Sequence, residues 1–201
     1  MTRRYVAFEG VDGAGKTTVA ARVADRLRAR GFDVVAVREP GGTRTGEAIR
    51  EILLGLGGVV GDWAEALLFA AARAQLAAEV VGPALAAGRA VVSDRSVYSS
   101  LAYQGGARGL GIEAVRRVNE AGLCGVWPET VVLLRLDPGR GLAREEEADR
   151  ISVAGLALQV RVAAAYDLLV AEEPGRFVVV DAGAGLEAVV DEAEAEVLRR
   201  W

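Results

Sequence analysis

The chain has 201 residues, a formal net charge of −4 and 24 basic side chains, of which one, Lys16, is lysine and the other 23 are arginine. With no histidine and a single cysteine, Cys124, it can build neither a Ser-His-Asp or Cys-His nucleophile system nor His-ligated zinc, an internal disulfide or a Cys-rich metal cluster. Mild acidity argues against bulk nucleic-acid binding, although local arginine clusters can still hold phosphates. No window reaches the ~18 uncharged apolar residues of a membrane span, and the four-residue apolar run before Glu9 is too short for a secretory signal. These features predict one cytoplasmic domain over residues 1–201 that needs no metal or disulfide staple to fold.

Short apolar runs alternate with longer helical patterns, which predicts a parallel α/β sheet. In chain order, Arg4 to Gly10 reads as a buried strand and Thr17 to Arg30 as a helix stopped by Gly31. Asp33 to Val37 is a second strand, followed by helical stretches at Thr45 to Leu56 and Asp62 to Ala87, the latter unusually apolar. Ala90 to Asp94 is a third strand, then a glycine-rich bend and a helix from Ile112 to Gly122. A fourth strand, TVVLLRLD, and a fifth, Arg176 to Asp181, are flanked by helices at about 152–172 and 186–200. Arg144 to Arg150 is the most charged segment and breaks the pattern. The expected fold is a three-layer P-loop NTPase-type α/β structure: a five-stranded parallel sheet, helices on both faces and a short lid at about 144–151.

Gly10-Val11-Asp12-Gly13-Ala14-Gly15-Lys16-Thr17 fits G-x-x-x-x-G-K-[ST] between a predicted strand and a predicted helix. Glycines let the backbone wrap so that successive N–H groups face a phosphate, and the helix start adds its positive dipole end. Lys16 can reach the β- and γ-oxygens, and Thr17 offers a hydroxyl to Mg²⁺. The sole lysine being here also excludes an N-K-x-D guanine reader. Asp94, at a strand end, can hold Mg²⁺ through water, and Arg95 can neutralise a transferring phosphoryl group. Phe69 and Arg73 stand four apart on one helical face; taken alone, the ring reads more readily as core, and the arginine as a buried cation in need of acceptors.

FEGVDGAGKTT, REPGGT, FAAAR and SDRSVYSSLAYQGGARG occur in that order, and together they resemble the bacterial form of the thymidylate kinase family. The likeness is dense from Tyr5 to about Asp137 and thinner beyond. It implies transfer of the γ-phosphoryl group of ATP to dTMP, giving dTDP and ADP for dTTP synthesis, with Mg²⁺ and in a homodimer. ATP would lie on Gly10, Asp12, Gly13, Ala14, Gly15, Lys16, Thr17 and Thr18, with Arg144 stacked on adenine. Asp12 would meet the deoxyribose 3′-hydroxyl, while Arg38, Glu39, Pro40 and Arg50 line the acceptor pocket; Arg50 reads equally as a solvated helix face. Phe69 would stack on thymine and Arg73 hydrogen-bond it. Ser99, Ser100, Tyr103 and Gln104 would read the base edge and exclude a ribose 2′-hydroxyl. Lys16, Arg95 and Arg150 would be catalytic.

The lid departs from the family pattern. With Gly13 in the phosphate loop an arginine-rich lid is expected, yet the segment carries Glu145, Glu146 and Glu147, and Ser152 replaces an expected glutamate. Those carboxylates can face solvent, pair with arginines, or mark a weakened catalyst. Two alternatives therefore stay open: a kinase for another nucleoside monophosphate, and a nucleotide-binding regulator. The apolar helix at Asp62 to Ala87 serves equally as core or as the dimer face.

Overall fold

A computed structural model describes residues 4–55, 60–144 and 155–201. Its strands are β1 (Tyr5–Glu9), β2 (Val34–Arg38), β3 (Ala90–Asp94), β4 (Thr130–Arg135) and β5 (Phe177–Asp181). They pair all-parallel in the order β2-β3-β1-β4-β5. A run such as TVVLL suits the interior of such a sheet because a strand covered on both faces has no solvent side to alternate with, whereas the edge strand β2 leaves Ala36 exposed.

Helix α1 (Lys16–Ala29) buries Val19, Ala20, Val23, Ala24 and Leu27, a stripe of helical period, against Val6, Phe8 and Val92 of the sheet. Complete burial of Leu27 contributes roughly 1.5–3 kcal/mol. The polar side of α1 is laced to the last helix, α9 (Leu186–Arg200): Arg22 pairs with Glu187, Arg26 with Glu187, Asp191 and Glu194, and Arg30 with Glu194. On the opposite face, reached by the neighbouring side chains Tyr5, Val35 and Val91, pack Leu76, Val81 and Ala84. These come from α3 (Asp62–Leu76), a wide π turn at Ala77–Val81 and α4 (Gly82–Ala86). Helix α2 (Arg44–Leu54) is capped by Thr43, whose hydroxyl accepts from Gly46 N at 2.9 Å.

The segment expected as a glycine-rich bend after strand three is helical instead. Helix α5 (Val97–Ser100) runs into a second π turn, Leu101–Ala107, before α6 (Ile112–Leu123). Glycine lets this happen through packing: a Cβ on Gly105 would lie 2.9 Å from the Ile112 Cα, so the missing side chain is what admits α6. A short helix, α7 (Pro138–Leu142), was likewise not foreseen. Asp137 caps it by accepting from Arg140 N at 2.9 Å, with proline at its first position. Helix α8 (Gly155–Glu172) precedes β5. The expected helix at 62–87 is present but interrupted by the π turn. Among the described residues no helix is long and apolar enough to cross a membrane.

The chain leaves β1 towards β2 and leaves β3 towards β4, in opposite directions across the sheet. Right-handed crossovers therefore put the two connections on opposite faces, and a crevice opens between the carboxyl ends of β1 and β3.

Candidate active site

That crevice is a cleft of about 440 Å³. From the turn after β1 it takes Asp12, Gly13, Gly15, Lys16, Thr17 and Thr18; from the end of β2, Arg38, Glu39 and Pro40; from α2, Arg50 and Leu54. Phe69 of α3 supplies an aromatic wall. Asp94 and Arg95 come from the end of β3, Ser99 and Ser100 from α5, and Tyr103 and Gln104 from the second π turn, a wide helical turn often found at functional sites. Arg144 closes one side. Five cations (Lys16, Arg38, Arg50, Arg95, Arg144) thus face three carboxylates (Asp12, Glu39, Asp94), an excess that suits polyanions.

The phosphate loop is pinned by close backbone packing. A Cβ on Gly10 would lie 2.6 Å from the Leu134 carbonyl oxygen, and one on Gly13 would run into the backbone of Gly141 in α7, with φ already at +71°. Gly141 in turn abuts the Asp12 carbonyl. Position 13 thus has no room for any side chain. Gly13→Ala is therefore expected to destabilise the fold by about 2–3 kcal/mol through overpacking and positive-φ strain. Thermal unfolding checks this, and the nucleotide affinity should fall with it.

Lys16 Nζ donates to the Val11 carbonyl at 2.7 Å and lies 3.9 Å from Asp12 Oδ1. Burial, reinforced by Arg95, pushes its ammonium down to about 8 against the opposing pull of Asp12. Asp12 is held from every side. Its Oδ1 accepts from Arg95 Nη2 at 2.5 Å and from the Tyr103 hydroxyl at 2.8 Å, and its Oδ2 accepts from Gln159 Nε2 at 2.6 Å. Its own N–H donates to Gln159 Oε1 at 3.0 Å. Burial alone would raise this carboxyl, but Arg95 and Lys16 beside it hold it down at about 2. Arg95 adopts φ +70°, an uncommon conformation for a residue with a side chain. It is fixed by its N–H on the Phe8 carbonyl at 3.0 Å and by the Ser93 hydroxyl on its own carbonyl at 2.5 Å. Its guanidinium lies over the Tyr103 ring at 5.3 Å.

Thr17 donates its hydroxyl to Asp94 Oδ2 at 2.6 Å, whereas the buried Oδ1 of Asp94 meets no partner among the described residues. A hydroxyl and a carboxylate with an unused oxygen are hard donors of the kind Mg²⁺ takes alongside substrate phosphates. Arg50 donates to the Pro40 carbonyl at 2.9 Å across a cis Glu39-Pro40 bond. Burial first, then Arg38 and Arg95, pull its guanidinium down, a repulsion that an anion would relieve. Arg38 is paired to both oxygens of Glu47.

Three expected site residues stand outside the cleft lining. Arg73 does not line the cleft; it is buried beneath the wall, donating to Glu39 Oε2 at 2.6 Å, Asn119 Oδ1 at 2.5 Å, the Ser96 carbonyl at 3.2 Å and the Ser100 hydroxyl at 3.1 Å. The acceptors that a buried arginine demands are thus protein groups, and it braces the loops that carry Glu39 and Ser100. Ala14 faces a second recess of about 180 Å³, whose other walls are Gly15, Val19, Arg144, Ala182, Ala184, Leu186 and Val189. Gly10 lies in the loop but behind the cleft lining. Arg150, Ser152 and the three lid glutamates lie outside the described residues.

Sequence reasoning missed Gln159, Glu9 and the loop after β5. Glu9, fully buried, accepts from the hydroxyls of Ser96, Ser99 and Tyr166 and from Ser99 N. The signal for both polar residues was available: one carboxylate in an apolar strand and one amide in an apolar helix. The loop after β5 could have been found from its place, since it too follows the carboxyl end of a parallel strand.

Residues 8–193 match the family model described as "Thymidylate kinase". The thymidylate kinase of Geobacillus thermodenitrificans is 45% identical over 206 residues, covering 100% of this chain and 92% of that protein. That of Bifidobacterium longum is 46% identical over 202 residues, covering 98% of each. The crystal structure of thymidylate kinase from Ehrlichia chaffeensis superposes with a TM-score of 0.82 at 25% identity, covering 99% of this chain and 100% of that one. Cleft, topology and full-length similarity agree, and the chain belongs to the thymidylate kinase family.

Proposed function

We propose that the chain transfers the γ-phosphoryl group of ATP to dTMP, giving ADP and dTDP, and that the residues converging on the 440 Å³ cleft do this work. The observation that carries the reading is one cavity holding a phosphate loop with its lysine, an Asp-Arg pair at the end of β3 and an aromatic wall from α3. Phosphoryl transfer needs positioning and charge neutralisation more than covalent chemistry. Lys16 and the loop N–H groups hold the β- and γ-phosphates. The 180 Å³ recess, with small apolar walls and Arg144 bound to the Ala182 carbonyl at 3.4 Å, takes the adenine.

The acceptor lies along the rest of the cleft. Its phosphate meets Arg38, Arg50 and Arg95, its sugar hydroxyl meets Asp12 and Tyr103, and its base lies against Phe69 with Gln104 at its edge. Thr17 and Asp94 would hold Mg²⁺, which when bound neutralises developing charge on the phosphate oxygens. Arg150 would add a further cation from the lid. Trp63, Leu67 and Ile52 remain 45%, 54% and 56% exposed on α3 and α2, which supports a homodimer through that face. A cytoplasmic location belongs to the same reading.

The test is phosphoryl transfer from ATP to dTMP, dUMP, dCMP, dGMP and AMP taken separately. dTMP should give the highest kcat/KM; equal rates for all five would point to a broader monophosphate kinase. Tight nucleotide binding without turnover would point to the regulator.

A further inference from the structure

Gln104 can read a pyrimidine edge only if something decides which end of its amide faces the cleft. Its carbonyl oxygen and amino group have nearly the same shape but opposite hydrogen-bonding sense. The residue that makes this choice is Glu65, buried behind the cleft lining one turn before Phe69 on α3. Glu65 and Gln104 are 1% and 2% exposed. Glu65 Oε1 accepts from Gln104 Nε2 at 2.9 Å, and Arg108 reaches both Glu65 oxygens, Nε to Oε1 at 3.4 Å and Nη2 to Oε2 at 3.3 Å. A carboxylate so paired can only accept, so the amino end of Gln104 is drawn to Glu65. Oε1 of Gln104 meets no donor among the described residues, and Gln104 lines the cleft beside Phe69 and Ser100.

We infer that Glu65, held by Arg108, is a positioning residue for base selection: it turns the Gln104 carbonyl towards the bound base. A carbonyl there accepts from a ring N–H flanked by carbonyls, the edge that thymine and uracil present. It opposes the unprotonated ring nitrogen of cytosine, which like the carbonyl can only accept. A site whose buried polar group is matched by one base leaves that group unpaired with the other, and this is where large discrimination originates. The inference rests on the proposed placement of the acceptor base beside Phe69 and Gln104, and it adds the group that sets the sense of that contact.

The experiment compares kcat/KM for dTMP, dUMP and dCMP in Glu65→Gln, Glu65→Asp and Gln104→Ala. In Glu65→Gln the new amide can give its oxygen to Arg108 and its amino group to Gln104, which reverses the Gln104 amide. The dTMP-to-dCMP ratio should fall at least about tenfold, while the dTMP-to-dUMP ratio stays put, because those bases share the edge and differ only in the methyl group. Glu65→Asp, still acceptor-only, should keep most of the dTMP-to-dCMP ratio. Should Glu65→Gln fail to fold, Glu65→Met, which frees the amide while Arg108 retains Asp62 at 3.8 Å, should lower the ratio in the same direction. A Glu65→Gln enzyme, or in its place a Glu65→Met enzyme, that is slower with all three substrates in equal proportion overturns the inference, since that is what a purely structural role predicts. If Gln104→Ala leaves the dTMP-to-dCMP ratio unchanged, the underlying base placement falls as well. A collapse there with an intact ratio in Glu65→Gln overturns the role of Glu65 alone.

Discussion

Replacing Lys16 with methionine is expected to lower kcat by roughly 10³-fold or more while the thermal unfolding midpoint changes little. Methionine keeps the length and apolar stem of the side chain and removes only the cation. That cation is 6% exposed and already spends one N–H on the Val11 carbonyl, so it is oriented before nucleotide arrives. Preorganised charge of this kind need not be rearranged during the reaction. A steady-state assay with saturating ATP and dTMP measures the loss; retention of more than a tenth of the activity would remove Lys16 from the chemistry.

The same lysine makes a pH prediction. Burial in the cradle holds it near 8, so it loses its proton as pH rises through that value. Bound polyphosphate restores the charge, and binding must take up a proton above about pH 8. The KM for ATP should therefore climb between pH 8 and 9.5 in the native enzyme and lose that component in Lys16→Met. For stability the sign is opposite to that of a salt-bridged lysine. The unfolded group, near 10.5, binds the proton more tightly than the folded one, so this residue's contribution rises with pH between about 8 and 10.5.

Arg95→Ala carries the second large effect, a loss of about 10³-fold in kcat that Arg95→Lys does not restore. Lysine can replace the charge but not the planar fork that lies over Tyr103 and donates to Asp12. The substitution also acts on Asp12. Its carboxyl, near 2 in the native protein, was pushed up by burial and held down chiefly by Arg95. A depression from 3.8 to about 2 corresponds to about 2 kcal/mol of stability present above pH 4 and lost as pH falls towards 2. Acid unfolding of Arg95→Ala should consequently begin at higher pH than in the native enzyme. An unchanged acid midpoint would show that Lys16 and Tyr103 suffice to hold Asp12.

Much of this was legible before folding. The glycines at positions 10, 13 and 15 with Lys16 and Thr17 imply a phosphate loop because only that backbone type admits the required close approach. The apolar runs imply a parallel sheet because no strand alternates cleanly between apolar and polar. Asp94-Arg95 follows from its place at a strand end, Phe69 and the serine-tyrosine-glutamine segment from a resemblance, and the cleft brings them together. Where the reading failed, it failed on partners. Gly105 and Gly106 look like a bend in a sequence, yet close packing between helices is what they serve. Arg73 is expected at the base because a buried cation needs acceptors, and sequence cannot reveal that protein groups, among them Glu39 34 residues away, supply several of them.

By itself, then, the order of residues determined the class of chemistry: a sole lysine inside a glycine-rich turn, no histidine or cysteine system to compete with it, and strands whose composition demands cover on both faces. These properties are local, since they follow from backbone freedom, side-chain charge and short-range periodicity. Tertiary structure alone decided which groups hold which. It set Gln159, far along the chain, against both the N–H and the carboxylate of Asp12, and it put Glu65 behind Gln104 and closed Gly141 onto Gly13. Such pairings depend on how separate helices meet in space, and hydrogen bonding and steric exclusion act only over that last few ångströms.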